Sequence, residues 1–310
     1  MTAPQRNAEA GIDFETAKKM ARSPDPEIRR QLAGYAEARP ELLYYLAGDR
    51  APEVRRQIAG NPGTPRKADL LLAADPDDSV RSGLARKITR LIPNLAPERL
   101  EQIERMTAEI LETLARDQVT EIRQVLAEEL QSLANAPVSV INRLARDVEL
   151  SVCGPVLRNS PILSDEELLQ IILGGVPDGA LSAIAQRAKV APLVADAIAS
   201  SDDAAAIAVL LDNPSAQIRE ETLDRLIDRA PQHEPWHGPL VRRPLLSPQA
   251  AARLASFVAD SLVKVLTART DLSPEAARRV SESVRQRLNR TGAAAPLNPG
   301  NAGPVPTGAA

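Results

Sequence analysis

The same short unit occurs twice at a fixed offset in residues 46–88, and this self-similarity limits the possible folds more than any other feature of the chain. Leu46-Ala47, Asp49, Val54-Arg55 and Ile58-Ala59 recur 26 residues on as Leu72-Ala73, Asp75, Val80-Arg81 and Leu84-Ala85. A unit this short cannot enclose an apolar core alone, so it buries its face by stacking on its neighbours as a solenoid. The unit is present upstream as Met20-Ala21, Ser23, Ile28-Arg29 and Leu32-Ala33. Downstream it returns as Leu114-Ala115, Asp117, Ile122-Arg123 and Leu126-Ala127, then as Leu144-Ala145, Asp147, Val152-Cys153 and Val156-Leu157, with Cys153 in the arginine's place.

Spacing inside a unit is helical. Val80, Leu84 and Ile88 share one helix face, and Ala68, Leu71 and Leu72 share one on the segment before, so each unit reads as two short antiparallel helices. Aromatic residues are only 2% of the chain, which leaves Ala, Leu, Ile and Val to build the core and favours packed helices over sheets. The expected fold is all-α, an α-α superhelix of about seven paired-helix units.

The chain divides by texture. Residues 1–12 carry no periodic pattern and are expected to be mobile, and residues 13–92 hold the first repeats. Residues 93–113 read as an interrupting helix opening near Pro97, and residues 114–230 as a second set of repeats. Thr64 is a candidate N-cap with Pro65 at the first helical position, and Ser164 with Glu167 forms a capping box opening a helix over 165–173. Residues 231–247 hold four prolines and are expected to be a loop. Residues 248–290 read as a helical cap on the open end of the stack, and 291–310 as a disordered tail.

Charge is zoned. Residues 1–92 hold 16 basic against 13 acidic side chains, residues 93–230 hold 12 against 23, and residues 231–310 hold 10 against 5. Such asymmetry can steer a charged partner. The single cysteine excludes an intramolecular disulfide, and no apolar run is long enough to cross a membrane, so the expected setting is the cytoplasm without membrane insertion.

Few motifs suggest chemistry. His233-Glu234-Pro235-Trp236-His237 satisfies the H-E-x-x-H pattern of zinc hydrolases, which needs both histidines on one helix face. Pro235 works against that geometry, and these are the chain's only histidines, so no metal is expected. The series Arg29, Arg55, Arg81 and Arg123 could hold anions. Each follows Ser23, Asp49, Asp75 or Asp117 by six residues, however, and a structural ladder of Arg–Asp pairs within or between units is the better reading. No phosphate-binding glycine loop is present, and no catalytic or cofactor-binding residue is assigned.

The stretch VRRQIAGNPGTPRKADLLLAADPDDSVR resembles HEAT-like and leucine-rich-repeat-variant units. In order, LARD, SVCGPVLRNSPILSDEELLQII, AIAQR, LLDNPSAQI and HGPLVRRPLLSPQAAARLASFVADSL resemble the alphaproteobacterial domain-of-unknown-function family 2336, over roughly residues 14–270. That resemblance implies a HEAT-like solenoid in a bacterial protein and supplies no catalytic residue. The function expected is a non-catalytic scaffold or regulatory adaptor that binds another protein, with Trp236, Arg242 and Arg243 as a candidate docking surface. A nucleic-acid-binding or base-processing helical-repeat protein is the alternative, and the acidic middle and six aromatics weigh against it. A metal-dependent hydrolase is a more remote one.

Overall fold

The computed structural model describes residues 12–92, 101–244 and 246–293. The stretch 1–11 of the expected mobile N-terminus, the expected helix start at Pro97 and residues 294–310 of the expected disordered tail lie outside the described residues. Every regular element among the described residues is a helix, and the chain forms two compact units that divide after Ile198.

The first unit opens with five helix pairs: α1 (Phe14–Ala21) with α2 (Pro26–Ala33), α3 (Pro40–Ala47) with α4 (Pro52–Gly60), α5 (Arg66–Leu72) with α6 (Asp78–Leu91), α7 (Glu101–Leu114) with α8 (Thr120–Leu130), and α9 (Val138–Leu144) with α10 (Leu150–Asn159). Then follow α11 (Asp165–Leu173), α12 (Ala180–Ala185) and α13 (Pro192–Ala199), whose last residue lies at the division. Helices α2, α4, α6, α8, α10 and α12 stack side by side as one layer, and α1, α3, α5, α7 and α9 as another. The repeated apolar residues face inward: Val54, Ile58, Leu84 and Leu126 have no exposed surface.

Local chemistry sets the helix boundaries. Pro26, Pro40 and Pro52 each occupy the first turn, where the missing N–H costs nothing and the fixed φ suits the helix. Ser164 and Glu167 close the capping box reciprocally at the start of α11. Thr64 is no N-cap: its hydroxyl donates to Ile58 O at 2.8 Å, and Pro65 takes the cap position of α5 instead. The Asn61–Gly63 turn beyond α4 presses on the first pair, and a Cβ at Gly63 would lie 2.1 Å from Ala36 O.

The helix expected to interrupt the array belongs to it. Helix α7 packs against both α5 and α9, so it takes the first-helix place of the fourth unit. Leu114-Ala115 closes it as Leu46-Ala47 closes α3. Part of the extra length between the third and fourth units lies in the helices themselves, since α6 and α7 each have 14 residues against nine in α4 and seven in α5.

The second unit contains α14 (Ala204–Asp212), α15 (Glu220–Arg229), a 3₁₀ turn (Ala230–Gln232), α16 (Glu234–Arg242), α17 (Pro248–Phe257), α18 (Asp260–Thr267) and α19 (Pro274–Ala293). Helix α16 packs on α14 and α18, and α17 on α15 and α19. The proline-rich stretch is therefore largely helical, which corrects the loop expected there. Pro231 and Pro235 fall in first turns, Pro244 follows the helix, and only Pro239 is interior. No described helix is long and apolar enough to cross a membrane.

Candidate functional site

The arginine series forms a ladder between units. Arg29 clamps Asp49 with Nε–Oδ2 at 2.6 Å and Nη2–Oδ1 at 2.9 Å, and Arg55 clamps Asp75 at the same two distances. Arg81 holds Asp117, and Arg123 holds Asp147, each at 2.6 and 3.1 Å. The carboxylate belongs to the following unit. The residue six positions earlier contributes only its carbonyl, which accepts Nη1: Ser23 O for Arg29, Asp49 O for Arg55, Asp75 O for Arg81 and Asp117 O for Arg123. Each aspartate also accepts the N–H two residues on, as Asp49 does from Ala51 and Asp147 from Glu149. One guanidinium thus satisfies two loops and joins two units by bidentate, charge-assisted bonds.

The ladder is closed at both ends. The first unit has Ser23 where the others have aspartate, and its hydroxyl accepts the Asp25 N–H, so no carboxylate is left without an arginine. The last has Cys153 where the others have arginine. That thiol is fully buried, and burial, with the Asp147 charge adding to it, pushes its pKa up to about 11. It stays protonated at neutral pH and acts as a small apolar side chain.

Acid sensitivity follows from the ladder. Burial pushes the Asp49 and Asp147 carboxyls up, but the Arg29 and Arg123 forks and the backbone N–H donors outweigh it and hold both below the ordinary carboxylate range. A carboxyl depressed on folding contributes stability above its unfolded pKa of about 3.9 and loses it as pH falls through the folded value. The wild-type urea midpoint is expected to fall as pH drops below about 4, and the D49N/D147N variant to fall less steeply. Parallel slopes would show that these carboxylates do not carry the acid response.

A second device caps helix C-termini from the neighbouring pair. Asn61 Nδ2 donates to Ala33 O and Tyr35 O at the end of α2, and Arg187 to Leu157 O and Ser160 O at the end of α10. In the second unit Arg229 reaches Ala199 O, Arg269 reaches Val241 O, and Arg243 reaches Leu211 O, Asn213 O and Ala216 O. Each donor satisfies carbonyls that lack intrahelical partners, and a cation there also meets the negative end of the helix dipole. The set was not legible in the sequence because the spacing, 26 to 32 residues, is irregular and the acceptors are backbone atoms.

The structure dismantles two further candidates. Trp236 is 1% exposed, donates Nε1–H to Ala204 O at 2.9 Å, stacks on His233 at 4.1 Å and lies beneath the Arg229 guanidinium. Arg243 is buried as well, so of the expected docking trio only Arg242 faces solvent, in an exposed pair with Asp212 at 3.2 Å. His233 is the residue before α16, with a non-helical backbone (φ −130°, ψ 78°), whereas His237 lies on the helix with Nε2 2.8 Å from Ala230 O. The two histidines therefore do not share a helix face as the zinc pattern requires. Among the described residues, no group of three or more His, Cys, Asp or Glu side chains is placed to hold a metal ion.

Solvent-facing apolar residues mark a different surface. All three tyrosines are exposed, with Tyr45 at 60% and Tyr44 at 46%. Leu71, exposed by 52%, occupies on α5 the position that Tyr45 occupies on α3. Beside Tyr45 is a cleft of about 340 Å³ between the α1–α2 and α3–α4 loops, rimmed by Arg22 and Arg50 and floored by the Arg29–Asp49 pair. A smaller cleft of about 220 Å³ lies over α8, α10 and α12, lined by Leu150, Gly154, Arg158 and Gln186 among others.

Among solved structures, an engineered protein from the Northeast Structural Genomics Consortium is 16% identical, covering 89% of this chain and 98% of its own, with a TM-score of 0.25. A designed armadillo repeat protein is 14% identical, covering 88% of this chain and 98% of its own, with a TM-score of 0.20. No curated protein sequence gives a significant match. Residues 152–300 match the model of a family described as an uncharacterised protein conserved in bacteria (DUF2336), so the similarity to that family covers the end of the first unit and the second unit and leaves the ladder-bearing pairs before Val152 outside it.

Proposed function

We propose that this chain is a non-catalytic protein-binding module, a scaffold or regulatory adaptor that engages its partner through the first unit. The observation that carries this reading is the exposed Tyr44, Tyr45 and Leu71 surface. Aromatic residues are enriched at protein interfaces and their burial dominates binding energy, and half of this chain's six aromatics are tyrosines left facing solvent. The polar residues that recur from unit to unit are consumed in joining the units, which leaves the loop edges and exposed helix faces for recognition.

Affinity capture from an untreated lysate of the source cells, at low and moderate salt, with mass spectrometry for proteins and a nucleic-acid stain for bound RNA or DNA, tests this. The wild-type chain is expected to retain one or a few proteins that Y44S/Y45S/L71S loses. The thermal stability of that variant should stay within about 0.5 kcal/mol per site of the parent, as at other exposed positions. Recovery of nucleic acid alone, of nothing, or of the same proteins by the variant would refute the reading.

A further inference from the structure

We propose that the cleft between the first two helix pairs holds an acidic peptide segment of the partner, its carboxylates bound by Arg22 and Arg50 and an apolar or aromatic side chain laid on Tyr45; this deepens the binding-module reading and depends on it. Arg22 and Arg50 are both exposed, and neither pairs with a carboxylate among the described residues. The acidic group in the cleft wall, Asp49, is clamped at both oxygens by Arg29 and meets the Arg50 charge without forming an ion pair with it, so it offsets the rim charge only in part. The cleft therefore offers two uncommitted guanidiniums, the groups best suited to bidentate carboxylate recognition, beside an exposed aromatic ring.

The repeats act as an internal control on what the fold itself needs. Arg22 corresponds to Gly48, Ala74, Arg116 and Arg146, just past the first helix of each pair, where a cation suits the helix C-terminus. Arg50 corresponds to Pro24, Pro76, Gln118 and Val148, and Tyr45 to Lys19, Leu71, Thr113 and Arg143. The same loop and helix end form with each of these side chains, so folding does not require arginine at 50 or tyrosine at 45. The two arginines and the tyrosine meet only at the junction of the first two pairs. A carboxylate-bearing ligand is thus favoured by charge, and a peptide by the apolar ring alongside.

Panning a displayed random-peptide library against the full chain tests the inference. Recovered peptides are expected to be enriched in Asp and Glu next to an aromatic or aliphatic residue. A fluorescein-labelled copy of the dominant peptide should bind more weakly as salt rises and lose about tenfold or more in affinity both to R22E/R50E and to R22Q/R50Q, the latter removing the two charges without setting an anion at the C-terminus of α1 or beside Asp49 and so melting close to the wild type. A copy with Lys in place of its acidic residues should prefer R22E/R50E over the wild type. No enrichment, enrichment without acidic residues, or unchanged affinity for R22E/R50E would overturn the inference. If R22E/R50E still captures the lysate partner, the acidic-peptide cleft fails while the binding module stands; if the wild type captures nothing, the module itself fails.

Discussion

Replacing Arg243 with Met is expected to destabilise the second unit by about 3–5 kcal/mol, because three carbonyls at and beyond the end of α14 lose their donor together. Burial pushes the guanidinium below its ordinary pKa, and a group of that type stays charged all the same. It is stabilised by the carbonyls of Leu211, Asn213 and Ala216. A methionine fills part of the volume and satisfies none of them. At roughly 4–8 °C per kcal/mol for a unit of about this size, the melting temperature should fall by more than about 10 °C. Lysine at 243, a point donor without the planar fork, should recover part of the loss. Met at the neighbouring Arg242 should change stability by no more than about 0.5 kcal/mol, since the Arg242–Asp212 pair is exposed on both sides. Trp236, the only tryptophan, is buried in the same unit and reports the transition by its fluorescence. Equal, small shifts for R242M and R243M would show that the carbonyl cage contributes little.

That contrast between adjacent arginines also marks how far the sequence could be read. The ladder was visible because the same residue types return at a fixed offset, but sequence did not tell which aspartate each arginine takes. Own-unit and next-unit carboxylates are equally regular in spacing, and only the stack decides that the fork reaches forward while Nη1 turns back to a carbonyl. Arg242 and Arg243 look alike in a proline-rich stretch, and tertiary packing alone buries one and exposes the other. The prolines misled for a similar reason. Four in one stretch suggest a loop, yet two stand where a helix tolerates them and α16 absorbs the one at 239 through its packing on α14 and α18. The binding cleft was the least legible part, since Arg22, Arg50 and Tyr45 are departures from the repeat and nothing in the pattern marks a departure as useful.

The largest effect expected in the first unit is at Asp69, where the repeat contains a buried ionic cluster that its sequence does not announce. Asp69 has no exposed surface and accepts from both Lys87 Nζ and Arg66 Nη1, the latter at 2.9 Å, while Lys87 also reaches Asn61 O at 3.3 Å. Burial pushes the Lys87 ammonium below its ordinary pKa, and Asp69 opposes that shift. One carboxylate thus serves two cations. D69N is expected to cost about 3–5 kcal/mol, because both cations lose their charged partner. K87M should cost clearly less, because Arg66 and Asp69 still pair. D69N/K87M should regain part of the D69N loss, a coupling of about 1–3 kcal/mol in a double-mutant cycle. The sign with pH follows from the same cluster. In D69N the folded state holds the Lys87 proton less tightly than the unfolded chain does, so the stability deficit should shrink as pH rises towards the ordinary lysine value of about 10.4. Urea midpoints of the four proteins across that range decide the matter. Additive losses, or a D69N deficit that does not shrink with pH, would mean that the cluster is three independent contacts and not a shared charge holding α5 against α6.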